Sequence, residues 1–216
     1  MCGIAGLICL DGSAVARSEL LKMTDSIAHR GPDGQGQWIE KNVGLGHRRL
    51  SILDLTDAAK QPMFSSDNRF VMVYNGEIYN FSQLRDELSL LGHLFTSRGD
   101  SEVLLTAFRQ WGTNAIPRFN GMFAIAIWDR WEQRLILARD RYGIKPLYIS
   151  KHGTNLAFAS EQRALITLRD FQKKLDFGGI FEYLSFQNIL TNRTMNQDIQ
   201  LFPPAHFAIL DVGAGK

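Results

Sequence analysis

Cysteine is scarce in this sequence, where Cys2 and Cys9 are the only two among 216 residues. Two cysteines cannot form a disulfide framework, and neither belongs to a Cys-x-x-Cys or Cys/His cluster of the kind that binds zinc. We therefore expect no metal site. Cys9 is predicted to be a small buried apolar residue, because free cysteine is among the most buried residue types.

Long apolar runs and an excess of charge are also missing. No apolar stretch reaches the ~20 residues that span a bilayer, and the N-terminus lacks the layout of a signal peptide. The formal net charge is +2, and no basic cluster favours nucleic acid or a membrane surface as a partner. We expect a cytoplasmic protein whose length suits one large domain or two small ones.

In the first half of the chain, apolar patterning predicts a buried strand over residues 2–10 and then a helix that begins at Arg17 or Ser18. The apolar face predicted for that helix consists of Leu20, Leu21, Met23, Thr24 and Ile27. Residues 36–39 and 43–46 indicate a hairpin, and residues 47–63 an irregular segment typical of a binding loop. The apolar run 70–74 indicates a strand buried on both faces that ends at Asn75-Gly76-Glu77.

The second half is predicted to contain helices, one hairpin and further strands. The predicted helices are 81–91 with Ser82 as its N-cap, one from Asp100, 161–168 and 177–185; the hairpin joins 122–128 to 134–138; the strands are 147–150, 156–159 and 206–211. Antiparallel strands with helices gathered in groups favour two sheets covered by helices on both sides, an α/β/β/α sandwich.

Cys2 is the residue with the clearest potential for chemistry. If Met1 is removed, Cys2 becomes the N-terminus and holds a thiol nucleophile and an α-amine base on one carbon. Gly3 and Gly6 are predicted to leave the backbone around it accessible. Taken alone, however, a cysteine beside a chain terminus is more often inert.

Eight segments together resemble one known family. They are MCGIAGL at 1–7, HRGPD at 29–33, GHRRLSILDL at 46–55, QPM at 61–63, YNGEIYN at 74–80, RGDSE at 98–102, GMFAIAIWD at 121–129 and RDRYGIKPLY at 139–148. In this order and spacing they resemble the glutamine-hydrolysing domain of the asparagine synthetase family, which is a class II glutamine amidotransferase. The resemblance implies the α+β fold of N-terminal nucleophile (Ntn) hydrolases, an αββα four-layer sandwich of two antiparallel sheets covered by helices.

The resemblance also implies a role for each of several residues. Cys2 would attack the side-chain amide of L-glutamine and form a thioester, with its α-amine as the base. Asn75 and Gly76 would form the oxyanion hole, although Asn-Gly alone is a strong hairpin-turn signal. Arg49, rather than Arg48, would bind the α-carboxylate of glutamine through its planar fork.

Two carboxylates and a loop would complete the glutamine site. Glu77 and Asp100 match the family residues that bind the α-ammonium group, although Asp100 taken alone fits a helix N-cap better and both roles could coexist. Backbone groups of the loop as far as Leu53 would complete the cradle. The HRGPD segment is predicted to be a structural wall of the pocket. Met122, Phe123 and Trp128 are predicted to be core residues, and the remaining histidines, at 47, 93, 152 and 206, have no spacing that suggests a site.

The resemblance finally implies a domain organisation. Residues 2–210 would form the glutaminase domain and 211–216 the start of a linker, with no ATP-binding synthetase domain in this chain. ATP and Mg²⁺ are expected only in such a synthetase domain, linked or associated, which would receive the ammonia and make asparagine. The alternative functions are a non-aspartate acceptor in surface-polymer or natural-product synthesis, a different amide substrate and an idle glutamine-sensing module. A homodimer is a further possible assembly.

Overall fold

A computed structural model describes residues 1–51 and 56–212, with only the backbone at position 57, and within these residues eleven strands and five α-helices are found. The strands are β1 (Gly3–Cys9), β2 (Gly34–Glu40), β3 (Val43–Arg49), β4 (Met63–Phe64), β5 (Phe70–Ile78), β6 (Gly121–Asp129), β7 (Arg134–Arg139), β8 (Tyr148–His152), β9 (Asn155–Ala159), β10 (Gln200–Leu201) and β11 (Phe207–Asp211). The helices are α1 (Arg17–Ser26), α2 (Phe81–Leu90), α3 (Asp100–Trp111), α4 (Gln162–Ile166) and α5 (Phe177–Phe186).

The strands form two antiparallel sheets that pack face to face. One sheet has the order β10-β8-β9-β1-β3-β2 and the other the order β11-β7-β6-β5-β4. Alternate residues of β1 and β5, such as Ile4 and Val73, point into the space between the sheets, where Trp128 and Phe158 are also buried. Because side chains alternate along a strand, the outer faces need covers of their own.

Helices supply those covers. Helices α2 and α3 bury Leu88, Leu104 and Phe108 against the outer face of the five-stranded sheet. Helices α1 and α4 bury Met23 and Leu165 against the outer face of the six-stranded sheet. The predicted αββα sandwich of two antiparallel sheets is therefore confirmed.

Strand β5 is longer than predicted, and this changes the interpretation of Asn75. The strand was expected to end at Asn75-Gly76-Glu77, but it continues to Ile78 and stays paired with β6, with Asn75 opposite Ala124 and Gly76 opposite Phe123. The turn reading of Asn-Gly is wrong, because nine consecutive cross-strand pairs override the local turn preference of two residues.

Several local predictions also need correction. Leu21 is 40% exposed and does not belong to the buried face of α1. The N-cap residue of α2 is Asn80, not Ser82, and its side chain bonds to residues 118 and 120 instead of to the helix. Gly3 and Gly6 are buried rather than accessible, and a Cβ atom at Gly6 would lie 2.2 Å from the ring of Phe158. These glycines permit close packing of β1.

Candidate active site

A cavity of about 180 Å³ opens beside the start of β1 and the end of β5. Its wall brings together six residues that the sequence analysis singled out: Cys2, Arg49, Asn75, Gly76, Glu77 and Asp100. It also contains residues that the sequence analysis did not place in a site: Met1, His47, Gln61, Tyr74, Met122 and Lys145. Leu53 lies outside the described residues.

Both the side chain and the backbone of Cys2 make contacts that fix its position. Its Sγ atom lies 3.4 Å from the backbone N of Leu50, whose N–H points at the sulfur, and 3.6 Å from the Leu50 carbonyl oxygen. The Nε of Arg30 donates to the Cys2 carbonyl at 3.0 Å. Met1 also lines the cavity, and its sulfur accepts a hydrogen bond from the Lys145 Nζ at 3.1 Å. While Met1 is attached, its side chain takes up part of the wall of the cavity and the Cys2 nitrogen is a peptide amide, not a free amine.

The HRGPD segment makes structural contacts, but none of residues 29–33 lines the cavity. Arg30 pairs with Glu161 at 2.9 Å, and the Asp33 carboxylate accepts the Ser51 N–H at 2.8 Å. Gly31 is required because a Cβ atom there would lie 2.3 Å from the carbonyl carbon of Arg48. The segment is therefore structural, as predicted, but it supports the residues around Cys2 from outside the cavity and does not form its wall.

Asn75 carries a buried donor that the folded chain leaves unused. The residue is 1% exposed, and its Nδ2 atom has no hydrogen-bond partner among the described residues. Such a group is costly to bury, since an unpaired buried donor loses its hydration without compensation. It therefore marks a position where a ligand oxygen would be favoured.

The Gly76 N–H lies on the same open edge of β5. The N–H of Tyr74 donates to Gln61 Oε1 at 2.6 Å and that of Ile78 to Asp100 Oδ2 at 2.9 Å, both away from β6. Because N–H directions alternate in an antiparallel strand, the N–H of Gly76 between them points to the same edge. A side chain at Gly76 could not fit, as its Cβ atom would lie 2.2 Å from the Met122 carbonyl oxygen.

Of the two arginines at the end of β3, Arg49 lines the cavity and Arg48 does not. Arg48 pairs with Asp25 and donates through Nε to the Thr24 carbonyl at 3.1 Å. Arg49 lines the cavity, and its Nη1 donates to the carbonyl of Thr56 at 3.0 Å. The strand alternation thus leaves Arg49 as the arginine that can reach an anion in the cavity.

Asp100 is not the N-cap of α3, so that reading is wrong. The N-cap residue is Gly99, and the Asp100 carboxylate turns back to accept the Tyr74 hydroxyl at 2.7 Å and the Ile78 N–H at 2.9 Å. Burial, followed by the neighbouring Asp100 carboxylate, raises the pKa of Tyr74 well above 10. Tyr74 therefore stays protonated and donates, which fixes the Asp100 carboxyl group in the cavity wall that also contains Glu77.

His47 is a buried histidine that the sequence analysis set aside. It is 1% exposed, and its Nε2–H donates to the Tyr74 carbonyl at 3.1 Å. Burial lowers the pKa of His47 to about 4. The ring is neutral at physiological pH, and it connects β3 to β5 next to Asn75.

His47 should make the protein less stable in acid. In the unfolded chain, His47 takes up a proton below its ordinary pKa of ~6.5. In the folded chain, His47 stays unprotonated until the pH falls to about 4. Stability is therefore lost as pH falls through this window, by about 3 kcal/mol between neutral pH and about pH 4. Urea unfolding at both pH values should show a smaller loss for His47→Gln, which keeps a donor for Tyr74. Equal losses in the two proteins would contradict this assignment.

Met122 was predicted to be core but lines the cavity, whereas Phe123 and Trp128 are buried as predicted. Met122 is the second residue of β6 and lies opposite Glu77 of β5. Cys9 is 6% exposed, which confirms the prediction that it is a buried apolar residue.

Within residues 1–51 and 56–212, no group of three metal-ligating side chains is present. The same part of the chain contains no helix long and apolar enough to cross a membrane.

The profile of the family described as "Glutamine amidotransferase domain" matches residues 1–216. The chain belongs to this family. Curated relatives include asparagine synthetase [glutamine-hydrolyzing] 3 of Bacillus subtilis, 35% identical over 210 residues, which are 95% of this chain and 34% of the relative. Asparagine synthetase 1 of the same organism is 36% identical over 207 residues, 94% of this chain and 32% of the relative. The amidotransferase domain therefore spans about a third of these relatives.

Solved structures support the same fold. The domain matches glutamine phosphoribosylpyrophosphate amidotransferase of B. subtilis with a TM-score of 0.68 and 19% sequence identity, over 98% of this chain and 49% of that chain. A structure titled as the allosteric regulatory enzyme of purine biosynthesis matches with a TM-score of 0.65 and 23% identity, over 76% of this chain and 43% of that chain. The amidotransferase domain thus shares the fold of these two structures.

Proposed function

We propose that this amidotransferase domain hydrolyses the side-chain amide of L-glutamine to glutamate and ammonia through a thioester on Cys2. The observation that carries the proposal is the unpaired, buried Nδ2 of Asn75 in the cavity that contains the Cys2 thiol. A nucleophile beside an unused donor is the arrangement that an acyl transfer requires. No cofactor is expected for this half of the reaction.

The residues divide the reaction between them. With Met1 removed, the Cys2 α-amine takes the thiol proton while sulfur attacks the amide carbon. The oxyanion that forms would accept from Asn75 Nδ2 and the Gly76 N–H. The same amine returns the proton to the departing nitrogen, ammonia leaves, and water hydrolyses the thioester to glutamate. All atoms come from glutamine, water and the chain.

Charge complementarity would select glutamine among amides. Arg49 would bind the α-carboxylate at one end of the cavity, and Glu77 with Asp100 would bind the α-ammonium at the other. The Asp100 carboxylate already accepts from Tyr74 and Ile78, yet an ionised carboxylate offers about four acceptor positions. A free amino acid with both α-groups charged would therefore fit, whereas a peptide-bound glutamine would not.

Arg49→Lys should raise the KM for glutamine by ~10- to 100-fold with a smaller change in kcat, because a point charge replaces a bidentate fork. 4-Aminobutanamide, which is glutamine without its carboxylate, should be a poor substrate that the substitution does not worsen further. Arg48→Lys is the matched control, since Arg48 pairs with Asp25 outside the cavity, and its KM should stay unchanged. An equal penalty on both substrates would contradict the role of Arg49.

The fate of the ammonia is a separate proposal. Because the chain spans about a third of the B. subtilis synthetases, we propose that it works with a synthetase domain of the asparagine type in the cytoplasm. A relative with a different name, "Amidase chry2" of Gibberella zeae, is 36% identical over 84% of this chain and 30% of the relative, which favours a second candidate with a non-aspartate acceptor. Ammonia release from glutamine, measured with a domain that begins at Cys2, tests the part common to both.

A further inference from the structure

Lys145 is a buried cation in the cavity to which the glutamine reaction assigns no role. It is 5% exposed and lies in the wall that also contains Cys2 and Glu77. Its Nζ donates to the sulfur of Met1, the residue that the reaction requires to be removed. Once Met1 is gone, this ammonium group loses that partner and remains in the cavity wall that also contains Cys2, the new N-terminus.

The loop that presents Lys145 is built around a buried carboxylate. Asp140 is fully buried and accepts the backbone N–H groups of Tyr142, Ile144 and Lys145 at 2.9–3.0 Å. The buried guanidinium of Arg139 donates to the carbonyl of Lys145 at 2.9 Å. These contacts account for the RDRYGIKPLY segment, because a side chain aimed at a reaction centre needs a rigid backbone beneath it.

Charged groups of both signs act on Lys145. Burial lowers the pKa of Lys145 and the Arg30 guanidinium lowers it further, whereas Cys2, Glu77 and Asp140 raise it. The carboxylates therefore favour the ammonium form that burial opposes. Arg30, the other cation, donates through Nε to the Cys2 carbonyl at 3.0 Å.

We propose that Lys145 is a positioning residue whose positive charge favours the neutral, proton-accepting form of the Cys2 α-amine and the thiolate form of the Cys2 side chain. A nearby cation disfavours a second positive charge and favours a negative one. Without it, more of the α-amine would be protonated at neutral pH and unable to act as the base. This inference rests on the proposed glutamine reaction for its catalytic meaning, but the electrostatic effect on Cys2 is measurable without turnover.

The test compares wild type, Lys145→Met and Lys145→Arg, each shown by mass spectrometry to begin at Cys2. Lys151→Met is the control, because Lys151 is an exposed lysine on β8. We expect the acid-side midpoint of kcat/KM for glutamine to move up by ~1 pH unit in Lys145→Met. Lys145→Arg, which keeps the charge, and the control should retain the wild-type midpoint.

A second measurement on the same proteins follows the rate at which iodoacetamide alkylates Cys2 as a function of pH. Its midpoint should also rise by ~1 pH unit in Lys145→Met, since the thiolate loses a stabilising charge. An unchanged midpoint in folded Lys145→Met, verified by circular dichroism, would overturn the inference. A wild type that releases no ammonia would contradict the proposed function alone, because alkylation still reports the charge of Lys145.

Discussion

Replacing Cys2 with alanine should abolish the release of ammonia from glutamine, with a loss in kcat of ~10⁴-fold or more. The alanine protein keeps the α-amine, the oxyanion donors and the charged ends of the cavity. It lacks the sulfur that forms the thioester, and water alone is a poor nucleophile toward an amide. Enzymatic quantification of glutamate and ammonia from the same reaction measures the loss.

The matched control for this substitution is Cys9→Ala. Cys9 lies in β1, where burial raises the pKa of its thiol and keeps it protonated. Its substitution should leave kcat near the wild-type value. Calorimetry should show that Cys2→Ala still binds glutamine, so that the loss belongs to the chemical step. Ammonia release by Cys2→Ala, or by a protein that retains Met1 in its mass spectrum, would contradict the mechanism.

The layers of the fold could be predicted from the sequence because each layer has its own apolar pattern. Residues 70–74 are apolar on both faces, and they become the first half of β5, between two cores. The pairing of β5 with β6 could not be predicted, since register depends on contacts 40 or more residues apart. For this reason the Asn-Gly pair was misread as the end of a strand.

The apolar pattern predicts a helix more reliably than it predicts burial. Helix α5 was expected from its composition and is present, but Phe177, Phe181 and Leu184 are each at least 70% exposed. By contrast, α3 buries Val103, Leu104 and Phe108 as expected. Local spacing of apolar residues decides whether a helix can form. Whether its apolar face is buried depends on elements distant in the sequence.

Part of the cavity wall could be predicted from the sequence through motifs. Cys2, Arg49 and Asn75 stand in segments that resemble those of a known family, and the structure places all three in one cavity wall. Their roles there stay predictions. Lys145 and His47 were missed because lysine and histidine occur widely on surfaces, and only the fold shows that both are buried in the cavity wall. The sequence offered one signal for Lys145, which is its place in the glycine- and proline-containing segment RDRYGIKPLY at 139–148.

Asn75→Ala should lower kcat by ~10²- to 10³-fold and change KM little, because the donor is needed by the oxyanion more than by the ground-state amide. The Gly76 N–H remains and accounts for the residual rate. Stability should fall very little, since the buried Nδ2 has no partner to lose among the described residues. Steady-state kinetics and urea unfolding of one preparation measure both quantities.

Asn42→Ala is the control that separates a catalytic amide from a structural one. The Asn42 Nδ2 donates to the Cys9 carbonyl at 3.0 Å, far from the cavity wall. Its removal should cost about 1 kcal/mol of stability and leave kcat unchanged. The two asparagines should therefore show opposite patterns, with activity lost at Asn75 and stability lost at Asn42. If Asn75→Ala raises KM at constant kcat, Asn75 binds substrate uniformly and is not an oxyanion donor.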